Sequence, residues 1–272
     1  ISACLVGSEM CIRDRSMMSI FLEGMGTGYA ERSTALEALR RHRLEAMSQN
    51  PDTLHGARAE LLAAAKRSEG WTGPVPPVDG SAHPASVLVL FGKLDSTPAQ
   101  TDATTMAADL DVLLQRRAAT LSSHPGQVSF PGGRAEDADA DAVATALREA
   151  EEETGLDPAG VEILATLAEI PLAASNHMVT PVLGWWRSPS RVAAVDHAET
   201  VDVFRVPVAQ LLDPKTRFTS TIHRMGRTWK GPAFDVDGTI VWGFTAMVLD
   251  ALFDAAGWTM PWDRSAERPV EL

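Results

Sequence analysis

Four glutamates crowd into five residues, Glu149, Glu151, Glu152 and Glu153, shortly after a Phe130-Pro131-Gly132-Gly133 turn. No other stretch constrains the fold as strongly. The pattern predicts a turn and then a helix over about 141–154, with Asp139 or Asp141 as N-cap and Gly155 as a left-handed stop. On that helix Glu149, Glu152 and Glu153 stand at i, i+3 and i+4, so three carboxylates share one face. Ala142, Ala146, Leu147 and Ala150 supply small or apolar surface for packing on a sheet. At an effective dielectric near 20, two carboxylates about 5.5 Å apart repel by roughly 3 kcal/mol. Either the face is solvated, or the site raises the carboxylate pKa values or takes up a cation. A hard divalent ion with oxygen ligands resolves the repulsion, and Mg²⁺ keeps waters and bridges to phosphates. The Gly-Gly turn upstream and Arg148 beside Glu149 favour the cation.

Arg148-Glu149-Ala150-Glu151-Glu152-Glu153-Thr154-Gly155-Leu156 resembles the second half of the Nudix hydrolase box, R-E-U-x-E-E-x-G-U with U a bulky apolar residue. Ala150 is small for its slot. The first half departs: Ala140 stands where the common box has Glu, flanked by Asp139 and Asp141, and one of these two is expected to pair with Arg148. Upstream, Leu113 to Gly133 resembles the L-L-T-x-R-[SA]-x3-R-x3-G-x3-F-P-G-G signature of coenzyme A pyrophosphatases within the family, with Gln115 replacing Thr and Ser122 replacing Arg. Similar family segments follow at 178–184, 199–208 and 241–246, so the resemblance covers about residues 83–256.

The resemblance implies metal-dependent attack of water on a diphosphate, with Glu149, Glu152 and Glu153 holding Mg²⁺ or Mn²⁺ and a backbone carbonyl near Gly132 completing the site. Glu199 matches a further loop acid that contacts metal in related enzymes. Glu149 is the first choice to help deprotonate the attacking water, as a carboxylate beside metal-bound water can; the other reading makes it a ligand only. Arg117 and His124 are candidates for phosphate contact, since a guanidinium fork suits phosphate, with Gly126 and Gly133 in the same substrate-binding stretch. The plainer readings are a surface cation for Arg117 and a tight turn for Gly126. Arg148, Asp139 and Asp141 are expected to be structural, orienting the turn. Trp185, Trp186 and Trp242 read as core or dimer surface.

The implied partner is a small nucleotide, coenzyme A or a derivative. Alternatives are another nucleoside diphosphate derivative such as ADP-ribose, or a non-catalytic binding module on the same fold. Charge fits the metal reading: 24 Lys+Arg against 36 Asp+Glu give −12, so a polyanion needs cations or a local basic cluster. The same balance argues against nucleic acid and anionic membranes. No apolar run approaches the 18 or so residues of a membrane span, and the expected compartment is the cytoplasm. Cys4 and Cys11 both lie in residues 1–16, which begin without Met and resemble a translated sequencing-adaptor artefact. On that reading the natural chain starts near Met17 or Met18 and has no cysteine chemistry.

A length of 272 residues suits one large or two small domains. Helices are expected at 34–48 and 54–68, then a Pro-rich linker at 73–80. Strands are expected at 85–91, 110–115, 161–170, 180–186, 201–206, 227–234 and 239–242, with helices at 208–212 and 244–256. Strands mixed with a few helices suggest a mixed sheet between helical layers. The expected architecture is therefore α/β, a Nudix-type α/β/α sandwich with a helical N-terminal extension. Its divisions are an artefact segment 1–16, an extension and linker 17–80, a hydrolase domain 81–260 and a tail 261–272. The N-terminal helices either cap the sheet or form a homodimer surface.

Overall fold

In the computed structural model the apolar run at 85–91 lies inside a strand, His83–Lys93 (β1), which organises a mixed eight-stranded sheet. Residues 56–68, 82–94, 106–118, 126–172, 175–224 and 227–270 are described; the helix expected at 34–48, the linker at 73–80 and His124 lie outside them. A helix, Ala57–Arg67 (α1), precedes β1, and Leu110–Arg117 (β2), Val128–Ser129 (β3) and Gly132–Arg134 (β4) follow it. Next come the helix Ala142–Thr154 (α2) and the strands Val161–Thr166 (β5), Ile170–Leu172 (β6), His177–Trp186 (β7) and Thr200–Pro207 (β8). A short helix, Val208–Leu212 (α3), leads to Arg217–Arg224 (β9), Arg227–Val236 (β10) and Thr239–Val241 (β11). Gly243–Ala256 (α4) and Glu267–Pro269 (β12) close the described chain.

β1 runs parallel to β7 from His83 to Phe91. Its other edge is divided. Ala85–Val87 pair with β4, whereas Phe91–Lys93 pair with β2. Between these two partners the Leu88 N–H donates to the Pro131 carbonyl at 2.8 Å. The Pro-Gly-Gly turn is thus wedged where β2 leaves β1 to pair with β3, while β8 lines the other edge of β2.

Strand alternation sends side chains to opposite faces. Leu88, Leu90, Leu113, Val182 and Trp186 pack against Ala146 and Ala150 of α2. Val89, Phe91, Val112, Leu114, Leu183 and Trp185 face the other way, into a core shared with α1 and α4. The result is the expected sandwich, with the acidic helix on one layer. Trp185 and Trp186 are both 1% exposed and belong to the core.

The first helix spends its apolar face within the chain. Ala57, Leu61 and Ala64 are fully buried, and Glu60 accepts a 2.7 Å hydrogen bond from Trp258 Nε1. Among the two readings for the N-terminal helices, α1 therefore follows the capping one. The strand expected over 161–170 is two strands, both pairing with β7, with a register shift between Ile163 and Ala165. Four strands lie outside the expected set: β3, β4, β9 and β12. β9, β10, β11 and β12 form a second sheet, in which β12 runs parallel to β9. Among the described residues no helix is long and apolar enough to cross a membrane.

Candidate active site at the glycine turn

The acidic helix begins and ends where the sequence indicates. Asp141 is its N-cap, accepting from the Ala144 N–H at 2.8 Å, and Gly155 ends it at φ 67°. Asp139 takes the other role left open between the two acids. Its carboxylate receives Arg148 Nε and Nη2 at 3.0 Å each, and Thr145 Oγ1 and the Glu136 N–H also donate to it. This fork, the bidentate geometry that suits Arg and carboxylate, holds the Asp139 carboxyl well below the usual aspartate range. The same pairing raises Arg148 further above its ordinary value. Arg148 Nη2 also donates to the Arg134 carbonyl at 3.0 Å, tying β4 to the helix.

Two of the three helix glutamates face the glycine turn. Glu153 is buried, and its Oε2 accepts from the Gly132 N–H at 2.8 Å and from Gln115 Nε2 at 2.6 Å. Burial pushes its carboxyl up to about 7; the two hydrogen bonds pull the other way, and neighbouring Glu149 adds to the rise. Glu149 lies against Gly133, where a Cβ atom would come within 2.5–2.6 Å of its carboxylate. Its pKa is also raised, chiefly by burial, with Arg148 opposing. Gly132 has φ 152°, and a Cβ there would collide with the Ser86 carbonyl and the Val87 backbone. Only glycine lets the turn press into the divided edge of β1.

Glu152 is turned outward, its side chain 59% exposed and ion-paired with Arg148 Nη1 at 3.0 Å. Glu151 and Glu199 are exposed, Glu199 in the turn before β8, where its carbonyl accepts the Ala118 N–H at 2.8 Å. Among the described residues no three acidic or imidazole side chains close into a metal cage. The chemistry of the donor set nevertheless fits a divalent cation: two half-buried or buried carboxylates adjoin, both pushed toward the protonated form chiefly by burial, and a cation would stabilise their charged forms.

Arg117 ends β2 beside a register shift, and its charge lowers the Glu153 pKa. Among the described residues its buried Nε has no hydrogen-bond partner. Gly126 sits in a left-handed turn at φ 68°, the turn role weighed for it, and among the described residues nothing lies within 4 Å of where its Cβ would be. Gly133 abuts Glu149. Two residues here were not singled out as contributors: Gln115, fully buried, and Thr200, whose hydroxyl donates to Gln115 Oε1 at 3.3 Å. A glutamine directly after the apolar run 112–114 was the available signal.

The family model of the NUDIX domain matches residues 99–224. A protein named uncharacterized Nudix hydrolase NudL, from Photorhabdus laumondii, is 37% identical over 142 residues, covering 52% of this chain and 74% of that protein. Nudix hydrolase 22, chloroplastic, of Arabidopsis thaliana is 38% identical over 205 residues, covering 71% of this chain and 63% of the plant protein. Among solved structures, a Nudix hydrolase from M. smegmatis, RenU, aligns over 48% of this chain and 74% of its own, with 23% identity and a TM-score of 0.37.

Proposed function

Because the chain belongs to the Nudix hydrolase family and is a diphosphate hydrolase, we propose that it cleaves the diphosphate of coenzyme A or an acyl-coenzyme A. The products are phosphopantetheine, or its acyl form, and adenosine 3′,5′-bisphosphate. The observation that carries the hydrolytic reading is the pair Glu149 and Glu153 lodged against Gly132 and Gly133. The choice of coenzyme A is supported by the sequence of the stretch from Leu113 to Gly133, whose strands β2 and β3 pair beside that turn.

Glu149, Glu152 and Glu153 would hold Mg²⁺ or Mn²⁺, with Glu199 and the Gly132 carbonyl as further donors. Such an ion neutralises phosphate charge and lowers the pKa of bound water. Glu152 joins the set by leaving its exposed pair with Arg148, which costs little because surface ion pairs contribute about 0–1 kcal/mol. Glu149, with a pKa raised by burial, accepts a proton from the attacking water. Arg117 directs its charge toward a substrate phosphate, and His124 assists from the same stretch. Gly126 and Gly133 let the backbone approach. Asp139 and Asp141 hold the helix, with Arg148, in the position this requires. The enzyme works in the cytoplasm on a small-molecule substrate. The hydrolase domain is residues 81–260.

The test is product analysis with purified protein, Mg²⁺ or Mn²⁺, and a panel of coenzyme A, acetyl-coenzyme A, ADP-ribose and dinucleotides. The expected result is phosphopantetheine and adenosine 3′,5′-bisphosphate, lost on adding EDTA. Turnover of ADP-ribose alone would discard the coenzyme A assignment and keep the hydrolytic one.

A further inference from the structure

Gln115 occupies an unusual position for a polar side chain. It lies on β2 after the apolar residues Val112, Leu113 and Leu114, and no part of it is exposed. A buried primary amide costs free energy unless its hydrogen bonds are made. Here both ends are used: Nε2 donates to Glu153 Oε2 at 2.6 Å, and Oε1 accepts from Thr200 Oγ1 at 3.3 Å. The Gly132 N–H donates to that same Oε2 at 2.8 Å. Two donors therefore grip one oxygen of Glu153, and among the described residues no hydrogen bond reaches Oε1.

We propose that Gln115 is a positioning residue, clamping Oε2 of Glu153 beside the glycine turn so that Oε1 is the atom left to bind a cation. The proposal rests on the metal reading above and extends it to a side chain that touches neither metal nor substrate. The chain of bonds has a second consequence. Thr200 follows Glu199, and the Glu199 carbonyl is held just past the end of β2 by the Ala118 N–H. Gln115 thus sits between the helix that carries Glu153 and the turn that carries Glu199, setting both against one strand. Partners that orient a ligand typically contribute 10–100-fold to metal affinity.

Mn²⁺ binding to the full chain, followed by electron paramagnetic resonance, tests this without turnover. Gln115→Met keeps the volume and removes the donor. The expected result is at least tenfold weaker Mn²⁺ binding with an unchanged circular dichroism spectrum. The half-saturating Mn²⁺ concentration in turnover should rise in parallel, while kcat at saturating Mn²⁺ stays within about threefold. Equal Mn²⁺ affinity in the wild type and Gln115→Met would overturn the positioning role and leave the metal site standing. Absence of Mn²⁺ binding in the wild type would instead overturn the metal reading, and this proposal with it. Should Gln115→Met fail to fold, Thr200→Val removes only the hydroxyl that orients the Gln115 amide. A loss of threefold or more in Mn²⁺ affinity is expected there, and unchanged affinity is the overturning result.

Discussion

Arg148 and Asp139 face each other as two parallel forks, Nε to Oδ1 and Nη2 to Oδ2, across nine residues of chain that include the start of the acidic helix. That pairing places Arg148 where it also meets Glu149 at 3.1 Å and Glu152 at 3.0 Å. Asp141, only two residues away, contacts Ala144 N–H instead. The two acids should therefore fail differently. Asp139→Ala is expected to lower turnover at least tenfold and to lower the thermal midpoint, because Arg148 is freed to hold the glutamates it neighbours. Asp141→Ala should cost about 1 kcal/mol by urea denaturation, as loss of an N-cap does, with turnover nearly unchanged. Equal loss of turnover in both variants would show that Asp139 has no special hold on the site.

The metal-free protein should become less stable as pH rises through neutrality. Glu153 has a folded-state pKa of about 7 against an ordinary 4.5, because burial penalises its charged form. A raised pKa contributes stability that is full below the ordinary value and is lost as pH rises through the folded one. The window is therefore about 4.5 to 7, and the contribution is at most about 3 kcal/mol. Asp139 shifts the other way, so its stabilisation disappears only as pH falls below the ordinary aspartate range. Thermal midpoints in EDTA should fall between pH 5 and 7.5, and Glu153→Gln should flatten that slope. An identical slope in the variant would assign the effect to another group.

Glu152→Gln separates stability from turnover. The side chain is 59% exposed, so its ion pair with Arg148 contributes little to the fold, within about 0.5 kcal/mol. As a cation ligand it should be indispensable: metal-dependent turnover is expected to drop at least a hundredfold. Near-normal turnover would remove Glu152 from the metal set.

Arg117 reports on the substrate. Its charge acts on Glu153, and among the described residues its Nε has no hydrogen-bond partner, so its guanidinium is the candidate fork for a substrate phosphate. Arg117→Ala should raise KM for coenzyme A about tenfold and raise KM for ADP-ribose less. Equal effects in steady-state assays on the two substrates would mean that Arg117 reads only the shared diphosphate.

What was legible in the chain depended on how local the determinant was. Helix α2 was readable to within a residue because its cap, its stop at Gly155 and its apolar stripe are all local. Which acid would serve Arg148 was not, since the path of the turn at 135–141 decides it and carries no periodicity. β3 and β4, of two and three residues, are too short to show alternation; β4 exists because β1 offers it an edge, and β3 because β2 does. β9 was hidden by its composition. It begins with Arg217, whose side chain is fully buried against Asp250 of α4 and lies between Phe234 and Trp262, an arrangement available only once the second sheet has formed. Gln115 was visible as a departure from a signature, but its partner Glu153 is 38 residues away and only the fold joins them.

The divided edge of β1 sets the location of the glycine turn and of the proposed site beside it. A sheet whose neighbouring strands pair along their whole length consumes its backbone donors in the ladder and has no fissure. Here the edge of β1 passes from β4 to β2 within a few residues, and the amide of Gly132, at the start of β4, donates to a carboxylate. The proposed site is in this sense a dislocation in the sheet. An insertion or deletion in the loops leading into β2 or β4 would move the dislocation along β1, and turnover would be lost even where every glutamate was kept.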